Sequence, residues 1–162
     1  MTVRETTPAA DTHNVLTDAQ FADAFCIEIA DRELNARRAA ERMMAQQPRW
    51  AEALLSLRNV LVTPLGLKTS GASPGVPRDM IGIFPVVSET PDRLVAGFND
   101  RHLDFRVVVD VTAPGSVRQV TATTLVKTHN WLGRTYLATI MPFHRLIVPA
   151  MLRQVADSGR TA

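Results

Sequence analysis

The chain has one cysteine and no recognisable export signal. A single cysteine, Cys26, among 162 residues cannot form an internal disulfide, which excludes a disulfide-stapled secreted scaffold. The N-terminus shows no succession of charged, apolar and small residues that resembles a secretion signal. We therefore predict a cytoplasmic protein. Cys26 alternates with apolar neighbours as in a strand, which favours a core position over a nucleophile.

The chain also lacks the common catalytic and metal-binding motifs. It contains no GxSxG, no paired CxxC, no HExxH and no phosphate-binding glycine loop. The four histidines, at positions 13, 102, 129 and 144, share no ligand spacing. We expect no metal and no cofactor, and the sequence assigns no catalytic residue.

Lysine is nearly absent, and positive charge is not concentrated anywhere. Only Lys68 and Lys127 are lysines among the 18 basic residues, and the formal net charge is +2. The tightest arginine group, Arg37, Arg38 and Arg42, lies on a predicted helix and is typical of a solvated face. Nucleic-acid binding is therefore disfavoured.

No apolar run continues without interruption for the length of a membrane span. Residues 131–152 come nearest, but Arg134, His144 and Arg145 interrupt them. Each arginine near the membrane centre costs ~2.5 to 3.5 kcal/mol. We expect no membrane span.

The chain does have the length and apolar content of one ordinary domain. Its 162 residues are 46% hydrophobic, which is enough for a substantial core. We predict a single domain over residues 15–156. The flanking residues 1–14 and 157–162 have no hydrophobic period and are predicted to be flexible tails.

The N-terminal part of the domain predicts a strand followed by a helix. Residues 23–30 alternate as a strand, and Asp31 suits the N-cap of an alanine-rich helix over 32–46. The predicted strand places three large apolar residues on one face, namely Phe25, Ile27 and Ile29.

A second helix and a loop are predicted next. Pro48 suits the first turn of a helix whose apolar residues recur as far as Leu61. Residues 68–79, KTSGASPGVPRD, have too many glycines, serines and prolines for regular structure. Such a loop is either a plain connector or a cover for a pocket.

In residues 80–128 the hydrophobic side chains recur at every second position, as in β-strands. Residues 80–88 and 93–99 flank the turn signal ETPD as a hairpin, with Pro85 at an edge or a bulge. Strands over 102–111 and 117–130 follow, joined by a turn at 113–116. Short turns between neighbouring strands predict an antiparallel meander.

A long closing helix is predicted over residues 129–155, with Asn130 as a candidate N-cap. At about 100° per residue, a broad apolar stripe faces inward while Pro142 and Pro149 face outward, so the helix should bend around what it packs against. The stripe is centred on Leu132, Tyr136, Ile140, Phe143, Ile147 and Met151, and is extended by Leu137, His144, Val148 and Val155.

This order of elements predicts an α+β helix-grip fold of the START-like type. In that fold a curved antiparallel sheet wraps around a long C-terminal helix, and two short helices follow the first strand.

Three segments resemble a known family. They are residues 48–68, PRWAEALLSLRNVLVTPLGLK, residues 100–107, DRHLDFRV, and residues 129–152, HNWLGRTYLATIMPFHRLIVPAML. They resemble an uncharacterised bacterial family, the domain of unknown function numbered two-eight-six-seven, over about residues 18 to 155. The order of elements is also similar to that of the START-like superfamily of polyketide cyclases and lipid-transfer proteins (SRPBCC).

The resemblance implies a fold and a possible cavity, but no catalytic residue. Members of the family also occur fused to dinucleotide-binding reductase-like domains, which makes a separate reductase-like protein a possible partner. The leading hypothesis is the binding of a small apolar or aromatic ligand under the closing helix. The predicted lining residues are Tyr136, Ile140, Phe143, His144, Ile147, Phe105, Val107 and Trp131.

Two other functions remain open from the sequence. The first is a non-enzymatic interaction module, which would use the polar strand face of His102, Asp104 and Arg106 for a reductase-like partner or a homodimer. The second is a cyclase- or isomerase-like enzyme with His144 or Tyr136 as acid or base. Each site residue also has a structural interpretation: His144 as a buried, hydrogen-bonded histidine, and the polar strand face as a solvated surface.

Overall fold

The computed structural model describes residues 1–45 and 79–157. The predicted second helix and residues 68–78 of the predicted loop lie outside these residues, as does the end of the chain from 158 to 162. Within the described ranges, no helix combines the length and hydropathy that crossing a bilayer requires.

The described residues have an α+β architecture, with seven strands in one sheet. In space the strands run in the order β1-β2-β7-β6-β5-β4-β3, and every neighbouring pair is antiparallel. The strands are β1 Arg4–Thr6, β2 Phe21–Ile29, β3 Met80–Ile81, β4 Phe84–Glu89, β5 Arg93–Asn99, β6 Leu103–Thr112 and β7 Arg118–Thr128. The helices are a 3-10 helix at Ala10–Asn14, α1 at Ala36–Met44 and α2 at Trp131–Asp157. The predicted helix-grip arrangement is confirmed.

The main core lies between the sheet and the two α-helices. The predicted inner face of β2 is confirmed, because Phe25, Ile27 and Ile29 are all buried there. From the helices, α1 contributes mainly alanines and Met43, while α2 contributes residues of its C-terminal half. Burial of a large aliphatic side chain stabilises a fold by roughly 1.5 to 3 kcal/mol, so this layer is the main source of stability.

Helix α1 begins later than the sequence predicted. Its N-cap is Asn35, whose Oδ1 accepts a hydrogen bond from the Arg38 N–H at 2.8 Å. The predicted cap, Asp31, instead accepts from the Glu33 N–H and pairs with Arg42 at 3.0 Å. Asp31 and Asn35 are both suitable N-cap residues. A tertiary contact sets the start of the helix at Asn35, because the Ala36 N–H donates to the Pro91 carbonyl.

The predicted hairpin at residues 80–99 is confirmed, with one extra turn. A two-residue turn at Gly82 and Ile83 divides its first arm into β3 and β4, and Gly82 has the positive φ that such a turn requires. Pro85 lies in β4 beside a shift in register between Val86 and Ser88. The predicted bulge near this proline is therefore present.

Residues 1–14 contain ordered elements where the sequence predicted a flexible tail. Strand β1 pairs with β2, and Arg4 of β1 lies 3.0 Å from Glu28. The chain then crosses the sheet face opposite to the helices, where Thr12 and Leu16 are buried. Scattered apolar residues carry no period, so this packing could not be read from the sequence pattern.

This N-terminal segment covers a sheet face that the sequence assigned to solvent or a partner. Val108 of β6 is fully buried and forms a second small core with Leu16, Val95 and Leu125. At the edge of this core, Arg93 links the N-terminal segment to the sheet. Its Nη1 lies 2.5 Å from Asp11 Oδ2, and its Nε lies 2.6 Å from Asp110 Oδ1.

Helix α2 begins at a sharp corner after β7. The Asn130 Oδ1 accepts from the Gly133 N–H at 3.0 Å, which confirms the predicted N-cap. The His129 N–H donates to the His102 carbonyl at 2.8 Å. A Cβ atom on Gly133 would lie only 2.2 Å from that same carbonyl oxygen. Glycine is therefore required for the helix to approach the β5–β6 turn.

Replacement of Gly133 by alanine should destabilise the fold. Alanine is the better helix former by about 1 kcal/mol, but its methyl group would displace backbone. We expect a net loss of about 1 to 3 kcal/mol in the free energy of unfolding, measured by urea denaturation. The exposed Ala138 on the same helix is the control, because Ala138→Gly should cost only the helix propensity. A Gly133→Ala variant as stable as the wild type would contradict the proposed corner.

The Asp11–Arg93 contact should make the stability of the N-terminal segment depend on pH. The hydrogen bond from Arg93 lowers the pKa of Asp11, whereas an aspartate in an unfolded chain titrates at about 3.9. The stabilisation is thus complete above that value and is lost as the pH falls through the lower folded-state pKa. Asp11→Asn should be less stable than the wild type at pH 7, and the difference should shrink towards pH 2.

Urea midpoints at a series of pH values measure this difference. Glu5→Gln, an exposed carboxyl substitution in the neighbouring β1, is the control. A difference between Asp11→Asn and the wild type that stays constant with pH would show that the carboxylate charge is not what Arg93 recognises.

Candidate functional site

One level of the helix-facing side of the sheet carries aromatic side chains. Across the strands, Phe21 is opposite Val126, Val126 is opposite Phe105, and Phe105 is opposite Phe98. Phe84 of β4 continues this line, with its ring centroid 5.1 Å from that of Phe105. We call Phe21, Phe105, Phe98 and Phe84 the phenylalanine row. All four are only partly buried.

Three rings of the phenylalanine row stack on one another. The Phe98 and Phe105 centroids are 5.6 Å apart, and the Phe84 and Phe98 centroids are 6.2 Å apart, with interplanar angles of 23° and 6°. Offset stacking at these distances contributes about 0.5 to 1.5 kcal/mol per pair beyond burial. The three rings therefore form one contiguous apolar cluster on β4, β5 and β6.

The next level of the same face carries a buried carboxylate. Asp23 of β2 lies opposite Thr124 of β7, which in turn lies opposite Val107 of β6. Asp23 is therefore flanked along its strand by the aromatic Phe21 and Phe25. A carboxylate in such a position is costly to bury unless it is paired.

Asp23 is paired with the histidine that the sequence singled out on α2. His144 Nε2 lies 3.2 Å from Asp23 Oδ1, and the side chains are 12% and 6% exposed. The edge of the His144 ring also meets Phe21 at a centroid distance of 6.0 Å and an angle of 87°. His144 is thus a largely buried, hydrogen-bonded histidine that faces the sheet, and its partner is a carboxylate.

The second carboxylate oxygen of Asp23 has no donor within the described residues. Asp23 Oδ2 is inaccessible to solvent and makes no hydrogen bond there. The sequence analysis overlooked Asp23, although a signal was available. Alternation through FADAFCIEI places Asp23 in phase with Phe21, Phe25 and Ile27, so a charge was predictable on the buried face.

The buried line of α2 is rotated by roughly a quarter turn from the predicted stripe. Among the residues at the predicted centre, Phe143 is 42% exposed and Tyr136 and Ile140 are only partly buried. The predicted stripe follows from hydropathy, which treats all large apolar side chains alike. The orientation of the helix in the structure is fixed instead by its close approach to the sheet at Gly133. The buried residues are Gly133, Val148, Met151, Leu152 and Val155.

The two halves of α2 thus differ. Its C-terminal half is buried against the sheet and α1, while Tyr136 and Ile140 in its N-terminal half, and Ile147 just past its midpoint, stay partly exposed. This N-terminal half runs beside the level of the sheet that carries the phenylalanine row and Asp23. Apolar side chains of the sheet and of the helix are therefore only partly buried at this end of α2.

The remaining predicted lining residues are distributed over core and surface. Val107 is buried in the main core, and Phe105 and Ile147 pack against that core while keeping part of their surface exposed. Trp131, by contrast, is 69% exposed at the start of α2. The structure brings together His144, Phe105 and Val107 at neighbouring levels of one face, and Trp131 lies apart from them.

A second aspartate–histidine pair lies on the opposite face of the sheet. His129 Nε2 is 3.0 Å from Asp104 Oδ1. Arg106, on the same face, donates to the carbonyls of Phe98 and Phe105 and to Asn99. Burial lowers the pKa of Arg106. The His129–Asp104 contact thus joins β6 to the turn between β7 and α2, while the contacts of Arg106 join β6 to β5.

The chain matches a family described as a protein of unknown function (DUF2867) over residues 15–151, which is most of its length. The protein belongs to this family. No curated protein matches the chain. In this DUF2867 member, two of the segments that carried the resemblance meet at the corner where α2 begins, through His102, Asn130 and Gly133.

The Asp23–His144 pair should be energetically coupled. In a double-mutant cycle with Asp23→Ala and His144→Ala, we expect a coupling energy of about 1 to 3 kcal/mol, because each single variant leaves a buried polar group without its partner. Chemical denaturation of the four proteins gives this value. The exposed Arg4–Glu28 pair is the control cycle and should show a smaller coupling. Additive effects at Asp23 and His144 would contradict the pairing.

Proposed function

We propose that this DUF2867 member binds a small apolar or aromatic molecule between the phenylalanine row and the N-terminal half of α2. The observation that carries the proposal is the phenylalanine row itself. Four aromatic side chains share one level of a sheet face, and each keeps part of its surface exposed. At the other levels of this face the buried side chains are mostly aliphatic, and the one phenylalanine among them, Phe25, is buried.

The packing of the helices supports this position for the site. Helix α1 and the C-terminal half of α2 bury the aliphatic levels of the sheet, where Val109, Val111 and Val120 are almost inaccessible. The level of the phenylalanine row lies beyond this closed part. An apolar concave surface with a few polar groups is the usual composition of a small-molecule site.

The proposed walls come from both layers. The sheet supplies the phenylalanine row with Val107 beneath it, and α2 supplies Tyr136, Ile140 and Ile147. The pair formed by Asp23 and His144 closes one end. This arrangement agrees with the ligand cavity of START-like domains, a superfamily to which we propose that the fold is related.

A reducing cytoplasm is the compartment that we propose for this function. Cys26, the single cysteine, is a buried free thiol. Proteins that work in oxidising compartments usually use cysteine in disulfides.

Truncation of Ile140 should weaken the binding of an apolar probe. With 2-methylnaphthalene as the probe, Ile140→Ala removes roughly three carbon atoms from the proposed wall, at ~0.8 kcal/mol each when buried. We expect the dissociation constant to rise about tenfold or more. Fluorescence titration of the probe measures it.

Leu146→Ala provides the matched control on the same helix. Leu146 is 65% exposed and lies on the outer side of α2, so its truncation should leave the dissociation constant unchanged. Equal effects of the two variants, or no saturable binding to the wild type, would refute the proposed function.

A further inference from the structure

We infer that the bound molecule carries an N–H or O–H group, which donates a hydrogen bond to Asp23 Oδ2. This inference rests on the proposed function and specifies the class of ligand. Such a molecule would be an apolar or aromatic alcohol, phenol or amine. A hydrocarbon, an ether or a carboxylate would be a poorer ligand.

The first step is the incomplete pairing of Asp23. His144 Nε2 lies near Oδ1 at 3.2 Å, which leaves Oδ2 as a second acceptor on the same buried carboxylate. The Asp23 side chain is only 6% exposed. A carboxylate accepts hydrogen bonds at both oxygens, and a buried oxygen without a donor bears its full desolvation cost.

The second step is the position of Asp23 relative to the apolar surface. It lies one level along the sheet from the phenylalanine row, two residues from Phe21 on β2. His144 contacts both Asp23 and Phe21, so the carboxylate and the aromatic surface adjoin each other. A molecule lying on the row therefore has Asp23 at its edge, and rotation of the carboxylate about its Cβ–Cγ bond presents the otherwise solvent-inaccessible Oδ2 to it.

The third step is the chemistry that fits this edge. An ionised carboxylate has no proton to donate, so it attracts a donor and repels another acceptor. A site with a buried hydrogen-bonding group discriminates strongly against analogues that lack the matching group. Neutral hydroxyl and protonated amine ligands share the required donor, and binding measurements separate them.

The experiment compares 2-naphthol with 2-methylnaphthalene, which has nearly the same shape but no donor. Apolar burial alone would rank the hydrocarbon as the tighter ligand, because burying an unpaired hydroxyl is unfavourable. We expect the opposite order in the wild type, with 2-naphthol bound more tightly. A wild type that prefers 2-methylnaphthalene would overturn the inference without the need for any variant.

Substitution of Asp23 tests whether its carboxylate accepts the hydrogen bond from the ligand. In Asp23→Asn, we expect the dissociation constant of 2-naphthol to rise roughly 10- to 100-fold, because a hydrogen bond to a charged acceptor is lost. The dissociation constant of 2-methylnaphthalene should change less than about threefold, because asparagine has nearly the same shape as aspartate. Asp104→Asn removes the carboxylate of the other aspartate–histidine pair, on the opposite face, and should leave both values unchanged.

The outcomes separate this inference from the proposed function. If both probes bind and Asp23→Asn weakens them equally or not at all, the function stands and the donor inference fails. If neither probe binds the wild type, both fail. Circular dichroism shows whether the Asp23→Asn variant is folded. The ranking of the two probes by the wild type does not depend on that variant. A further titration with 2-naphthylmethylamine shows whether a cationic donor binds more tightly than the neutral one.

Discussion

The structure depends on one constraint, which is that the central strands of the sheet bury apolar residues on both faces, a broad layer towards the helices and a small cluster on the other side. In β6, Val107, Val109 and Val111 face the helices, while Val108 is fully buried on the other side. A sheet of this kind needs two covering layers. The helices supply one, and the N-terminal segment that carries Leu16 supplies the other. The N-terminal segment is therefore ordered because it covers Val108 of β6 on the face opposite to the helices.

The same constraint explains why part of the helix-facing surface stays open. A helix covers a stripe, whereas seven strands present a broad face. The N-cap at Asn130 and the close approach of Gly133 to the His102 carbonyl fix where α2 starts and how it is rotated. Its C-terminal half then meets α1 over the aliphatic levels, and its N-terminal half lies beside the phenylalanine row. The position of the candidate site thus follows from the geometry of one corner.

Much of the fold was predictable from the sequence because its signals are local. Alternation gave the faces of β2 and β6, and turn residues gave the hairpin. The remaining features depend on distant contacts. Asn35 caps α1 because Ala36 reaches the Pro91 carbonyl, and the rotation of α2 depends on a backbone contact at Gly133. For the site, the sequence found His144 but overlooked Asp23, which is 121 positions away.

Stability alone does not account for the Asp23–His144 pair. A well-packed apolar pair of similar volume commonly stabilises a core as well as a buried ion pair does, since desolvation offsets much of the attraction. The comparison with Asp104 and His129 is instructive, because that pair lies on a more exposed face where desolvation is smaller. Asp23 instead sits between phenylalanines, and one of its oxygens has no donor in the part of the chain that the structure describes. Incompletely paired, buried ionisable groups concentrate at functional sites. The pair therefore lies at the boundary between the closed core and the phenylalanine row, where the hydrogen bonds of the described residues offset only part of its desolvation cost.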